Sequence, residues 1–172
     1  MEQSYKDKLE WGIRAAGAAL LLFAVIYFIY YFYIAAVFGL REGLLPVLIG
    51  DAVFLLFIPA GILLLLLKPL GWWLAMASFC YLLLAKTVSV LAGILLDTLG
   101  IAPEGGTAFQ FSPDVLQLVL YGGALILLSV RPVRHAAGVQ TEQKKFSAFW
   151  YVFPPALLLY AFYFYASFQQ WT

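Results

Sequence analysis

Polar residues punctuate this chain more than they populate it. Between them run five apolar stretches, at about residues 15–39, 44–67, 71–97, 113–130 and 146–168. A membrane-crossing helix needs ~20 mainly apolar residues to traverse ~30 Å of hydrocarbon. The stretches are of that size, 113–130 being the shortest. The pattern predicts an all-α membrane protein, a bundle of five transmembrane helices forming a single membrane domain over 1–172.

The breaks carry ordinary turn signals. Arg41-Glu42-Gly43 separates the first two stretches, and Lys68-Pro69 with Gly71 makes a very tight turn between the second and third. Ser112-Pro113-Asp114 opens the fourth, with Ser as cap, Pro in the first turn and Asp at the positive end of the dipole. Pro59 with Gly61 predicts a bend in the second helix, and Pro154-Pro155 a kink in the fifth.

Composition agrees. The chain is 65% hydrophobic and 11% charged, against ~45–50% and ~25% for soluble domains. Lipid must therefore be the solvent, which excludes a soluble enzyme and a disordered chain. A net charge of +1 supplies no field to draw nucleic acid. One cysteine, Cys80, excludes an intrachain disulfide, and one His with one Cys argues against a zinc site. No metal or cofactor is implied. The first apolar stretch exceeds the ~7–15 residues of a secretory signal core, so it reads as a retained helix.

Basic residues orient the bundle. With the N-terminus inside, Lys6, Lys8, Arg14, Lys68, Arg131, Arg134, Lys144 and Lys145 are cytoplasmic. Arg41 alone is external, and Lys86 lies within a span. This asymmetry predicts a cytoplasmic N-terminus and an external C-terminus. Trp11, Trp72, Trp73 and Trp150 fall at the cytoplasmic ends and Trp171 at the outer end of the last helix, as indoles at a headgroup belt would.

No nucleophile elbow, zinc-protease, phosphate-loop or dinucleotide motif is present. His135 sits in the basic loop and reads as a solvated residue. The chemistry-bearing candidates are ionisable groups inside the spans. At about 1.5 Å per residue, Asp51 falls ~10 Å and Lys86 ~16 Å below the outer boundary. A mid-membrane charge costs ~2.5–3.5 kcal/mol on the insertion scale, so it seeks a partner or water. The tight turn makes the second and third helices antiparallel neighbours, so an Asp51–Lys86 ion pair is expected. It reads either as a staple between helices or as a binding site.

Other polar residues share helix faces. Lys86, Ser89, Gly93 and Asp97 do so on the third helix, Tyr27, Tyr30 and Tyr31 on the first, Asp114, Gln117 and Tyr121 on the fourth, and Tyr160, Tyr163 and Ser167 on the fifth. Nearly all fall in the outer leaflet. They would line an outward-open pocket if the faces converge, or form an aromatic belt toward lipid if they do not. Ala85, Ser89 and Gly93 allow close helix approach within the bundle or between copies. The loop over 99–112 would act as a lid or a plain connector.

Two functions fit. The first is a non-enzymatic accessory or structural subunit of a larger membrane assembly, in the plasma membrane of a bacterium. Its partners would be the lipid bilayer and a larger membrane protein, with no nucleic acid and an open oligomeric state. The second is a small-molecule binding or transport protein using an outward-facing pocket around Asp51 and Lys86, lined by Tyr27, Tyr30, Ser89, Gln117, Tyr121, Tyr160 and Tyr163. An intramembrane enzyme lacks a nucleophile–base pair.

Overall fold

The computed structural model describes residues 2–38, 51–100, 111–139 and 152–162, with side chains described from residue 7 and, in the second segment, from residue 52. Side chains of the first segment are described through residue 37. Every described element is helical. Helix α1 is Glu2–Phe38, and a 3-10 turn, Asp51–Leu56, leads into α2, Phe57–Leu65. Then come α3, Pro69–Thr98, α4, Phe111–Ser129, the short α5, Arg131–Ala136, and α6, Val152–Phe162. Three helical stretches are long and apolar enough to cross a membrane: Asp7–Val37, Pro69–Thr98 and Phe111–Ser129. The protein is thus a helical membrane protein.

Helix α1 begins well before its apolar stretch. Glu2 precedes Lys6 by four residues, as Glu10 does Arg14, an order that supports a helix in water. Its inward stripe is Ile13, Gly17, Leu20, Ala24, Tyr27 and Tyr31, alternating steps of four and three. Two glycines let this stripe meet α2. A Cβ on Gly61 would lie 2.6 Å from the Gly17 carbonyl oxygen, and one on Gly17 would lie 2.8 Å from the Gly61 oxygen. Only glycine at both positions permits this backbone contact.

The interruption expected around Pro59 and Gly61 takes the form of a change of helix type. Pro59 has no N–H for the Leu55 carbonyl and stands in the first turn of α2, where a missing donor is tolerated. The chain winds as 3-10 helix through Leu56 and becomes α only from Phe57. Pro154 and Pro155 both lie on α6.

The turn from α2 to α3 is as tight as the Lys68-Pro69 spacing implies. Lys68 N–H donates to the Leu63 carbonyl at 2.8 Å and Leu67 N–H to that of Leu64 at 3.0 Å, closing the helix with Leu67 at φ +53°. A matching closure ends α5, where Gly138 stands at φ +75° and Val139 N–H donates to Arg134 at 2.9 Å. The two turns pack together: a Cβ on Gly138 would sit 3.4 Å from the Leu67 oxygen.

The core has two apolar clusters. One gathers Ile13, Leu64, Trp72, Met76, Val139 and Val152; the other gathers Ala24, Val53, Phe57, Tyr81, Leu82 and Ala156. Leu20 and Cys80 touch both. The start of α1, end of α2, starts of α3 and α6, and the segment after α5 thus share one end of the molecule, as an up-and-down bundle requires. Lys8, Arg14, Lys68, Arg131 and Arg134 belong to elements meeting at that end.

Trp72 occupies that end but not as a belt residue. It is 1% exposed, and its indole N–H donates to the Leu128 carbonyl at 2.9 Å, one of the last carbonyls of α4, which lack helical partners. Trp73 stacks edge-on against it at 4.8 Å, whereas Trp11 is 73% exposed. Trp150 and Trp171 lie outside the described residues.

Candidate functional site

Lys86, on α3, has an ion-pair partner on α4. Its Nζ lies 2.6 Å from Oδ1 of Asp114, with the side chains 19% and 15% exposed. Asp114 stands in the first turn of α4, where the helix dipole also favours a negative charge. The Asp51 backbone opens the 3-10 turn, but the side chain, and with it an Asp51–Lys86 contact, lies outside the described residues.

The register of α3 against α4 explains the partner. Lys86 stands fourteen residues after Trp72, and Asp114 fourteen before Leu128. The two polar contacts therefore belong to one antiparallel alignment and are separated by ~21 Å of helix. Sequence reasoning placed Asp114 on a face with Gln117 and Tyr121 without joining it to Lys86. The sequence between Thr98 and Phe111 carries no register signal, whereas matching depths from the two basic ends would have suggested the pair. Beyond Lys86, α3 runs on for twelve more residues to Thr98, past the start of α4, with Leu91, Leu95 and Leu99 exposed.

The tyrosines of the expected outer pocket divide. Tyr27 packs on Phe54 with centroids 4.9 Å apart, in a file of rings that continues through Phe57 to Phe79. Tyr121 and Tyr160 pack against the second cluster, Tyr160 6.5 Å from Tyr81. Tyr30 is 62% exposed, being rotated off the buried stripe that carries Tyr27 and Tyr31. Ser89 is exposed, Gln117 is half-buried, and Tyr163 lies outside the described residues. Of the closely spaced small residues, Gly93 is buried and Ala85 half-buried.

A cavity opens at the opposite, basic end. It measures about 530 Å³, within the roughly 300–1,000 Å³ of ligand sites. Trp72, Met76 and Cys80, one face of α3, form one wall, and Leu125, Ile126 and Ser129 of α4 another. Arg131 and Arg134 stand at its rim and Val152 of α6 closes it. Ser129 is occupied within its own helix, its Oγ donating to the Leu125 carbonyl at 2.7 Å. Arg134 Nε is buried with no hydrogen-bond partner. The sequence presents both arginines as orientation signals; the elbow at Val130, extended at ψ 132°, turns their short helix onto α1 and brings both into the cavity lining. His135, on the same short helix, is exposed. A smaller cavity of about 240 Å³, also bordered by Trp72, includes Lys8 and Val133.

Among the described residues no three His, Cys, Asp or Glu side chains converge as a metal site would require. Comparison with protein-family models, curated proteins and solved structures found no match to this chain.

Proposed function

We propose that the chain is a non-enzymatic accessory or structural subunit of a larger membrane assembly, in a bacterial plasma membrane. It would cross five times, with a cytoplasmic N-terminus and an external C-terminus. The observation that carries the subunit reading is the adjacent pair Gly122-Gly123 on α4. Each glycine costs a helix about 1 kcal/mol relative to alanine. Gly17, Gly61 and Gly71 use that freedom, since a Cβ on any of them would strike backbone. Gly122 and Gly123 do not: no described residue lies within 4 Å of a Cβ built on either. No residue of α4 is buried, although both ends of the helix are tied to α3. Small residues at half-buried positions of a membrane helix leave room for the close approach of a second helix. The gathering of Lys8, Arg14, Lys68, Arg131 and Arg134 at one end supports the orientation.

Crosslinking in native membranes followed by mild extraction tests the reading. The wild-type chain should carry a stoichiometric protein partner, and Gly122→Leu and Gly123→Leu should release it while the chain stays folded. A lone monomer, or a partner that survives both changes, would sink it. Capture of a second copy alone would make the face a self-contact and remove the accessory role.

The second reading is a small-molecule binding or transport protein, favoured by the Lys86–Asp114 pair, with Asp51 on the neighbouring 3-10 turn. In that reading the carboxylates and the ammonium would serve a polar solute entering from the outside.

A further inference from the structure

The basic-end cavity combines three features that neither a staple between helices nor a protein contact uses. Its walls are apolar, from Trp72 through Met76 to Cys80. Its rim carries two guanidinium groups, Arg131 and Arg134, with no carboxylate among the described lining residues. One polar atom, Arg134 Nε, is withdrawn from water without a hydrogen-bond partner. A buried donor left unpaired is costly, and more so when charged. An anion beside the guanidinium would offset part of that cost by taking charge-assisted hydrogen bonds from its terminal N–H groups.

We propose that this cavity binds an anionic phospholipid, with the phosphodiester on Arg134 and Arg131 and an acyl chain along the Trp72–Met76–Cys80 wall. The cavity's sideways opening favours lipid over a water-borne phosphate. Ile126 belongs to the cavity wall yet is 70% exposed on a membrane-spanning helix, so an acyl chain can leave the cavity directly into the bilayer. Basic pockets between membrane helices at headgroup level suit such lipids. Charge sets the preference among lipids. A choline headgroup would bring its cation beside two arginines with no carboxylate among the described lining residues to receive it, whereas a glycerol headgroup adds no cation beside them. The site is on the opposite side of the bundle's length from the Lys86–Asp114 pair and does not depend on a protein partner.

Cys80, the chain's single cysteine, lines the cavity and is half-buried, so its alkylation reports occupancy. The full chain is placed in nanodiscs of phosphatidylcholine, and phosphatidylglycerol with the same acyl chains is titrated in while N-ethylmaleimide labelling is followed by mass. Phosphatidylglycerol should slow labelling of the wild type. Arg134→Gln should weaken that protection by roughly tenfold or more, the loss expected for one charged hydrogen bond. Arg14→Gln, an exposed arginine outside the cavity, should leave it intact. Arg131→Gln, at an exposed position, provides a second variant should Arg134→Gln fail to fold. Native mass spectrometry should show phosphatidylglycerol retained over phosphatidylcholine by the wild type. Equal protection by the two lipids, or protection that survives both arginine changes, overturns the proposal. Inorganic phosphate alone should leave labelling unchanged; protection equal to that of the lipid would assign the site to a soluble anion and overturn the lipid assignment.

Discussion

At the residue scale, the most informative contact is Lys86 with Asp114, because two charges in a chain this apolar must be satisfied together. Removing one partner of a buried pair leaves the other desolvated and costs about 3–5 kcal/mol. Lys86→Met and Asp114→Asn should each destabilise the protein by about that much, and the double variant should lose less than the two losses added together. Thermal unfolding of the four proteins in one detergent reads the coupling; additive losses would show that the contact contributes nothing. Lys86 was visible in the sequence as a group needing a partner, Asp114 only as a first-turn residue on a polar face. Their pairing was not, because it depends on how α3 slides against α4, which is set by the Trp72–Leu128 hydrogen bond and side-chain packing along the two helices. Trp72 shows the same limit. Its position near a basic end was legible, but its burial depends on a carbonyl of another helix. Arg134 was legible as a charge and illegible as a cavity residue, since its placement follows from the elbow at Val130.

At the element scale, the apolar stretches reappear closely where local signals are strong. Helix α3 runs 69–98 against an expected 71–97, and α4 runs 111–129 against 113–130, because proline and charged residues bound them. The extension of α1 back to Glu2 was missed because charged residues read as loop when hydropathy is the guide, although their spacing favours helix. The crossing of α1 over α2 was also missed, since Gly17 and Gly61 are only two among 14 glycines until the helices are superposed. That crossing makes a sharp prediction. Gly61→Ala drives a methyl into the Gly17 carbonyl and should cost about 1–3 kcal/mol as the helices separate. Gly12→Ala, also on α1 but with nothing within 4 Å of its Cβ, should instead stabilise by about 1 kcal/mol. Opposite shifts in melting temperature are expected, and a Gly61→Ala protein as stable as wild type would mean the close approach is not needed.

At the scale of the whole molecule, orientation is the property to establish. The Cys80→Ala background allows single cysteines at Gln3, Gly105, Gln140 and Thr172. A membrane-impermeant maleimide added from outside should reach Gly105→Cys and Thr172→Cys only, and labelling at Gln140→Cys would sink the five-span arrangement.

The stretch of α3 beyond Lys86 has a consequence for the lipid around the protein. Helix α3 has 30 residues, ~45 Å of length, while α4 has 19, ~28 Å, and the two are aligned at the basic end. A bundle built from such unequal members does not fit a flat slab. Lipid beside α4 is asked for one thickness and lipid beside the outer half of α3 for a greater one, at a cost of fractions of a kcal/mol per Å unless the longer helix tilts. Unless α3 tilts, the protein imposes a lopsided mechanical load on its boundary lipids: the bilayer beside the outer half of α3 is asked to thicken while that beside α4 is not. Neighbouring proteins that share this deformation would be drawn to the same flank without any specific contact.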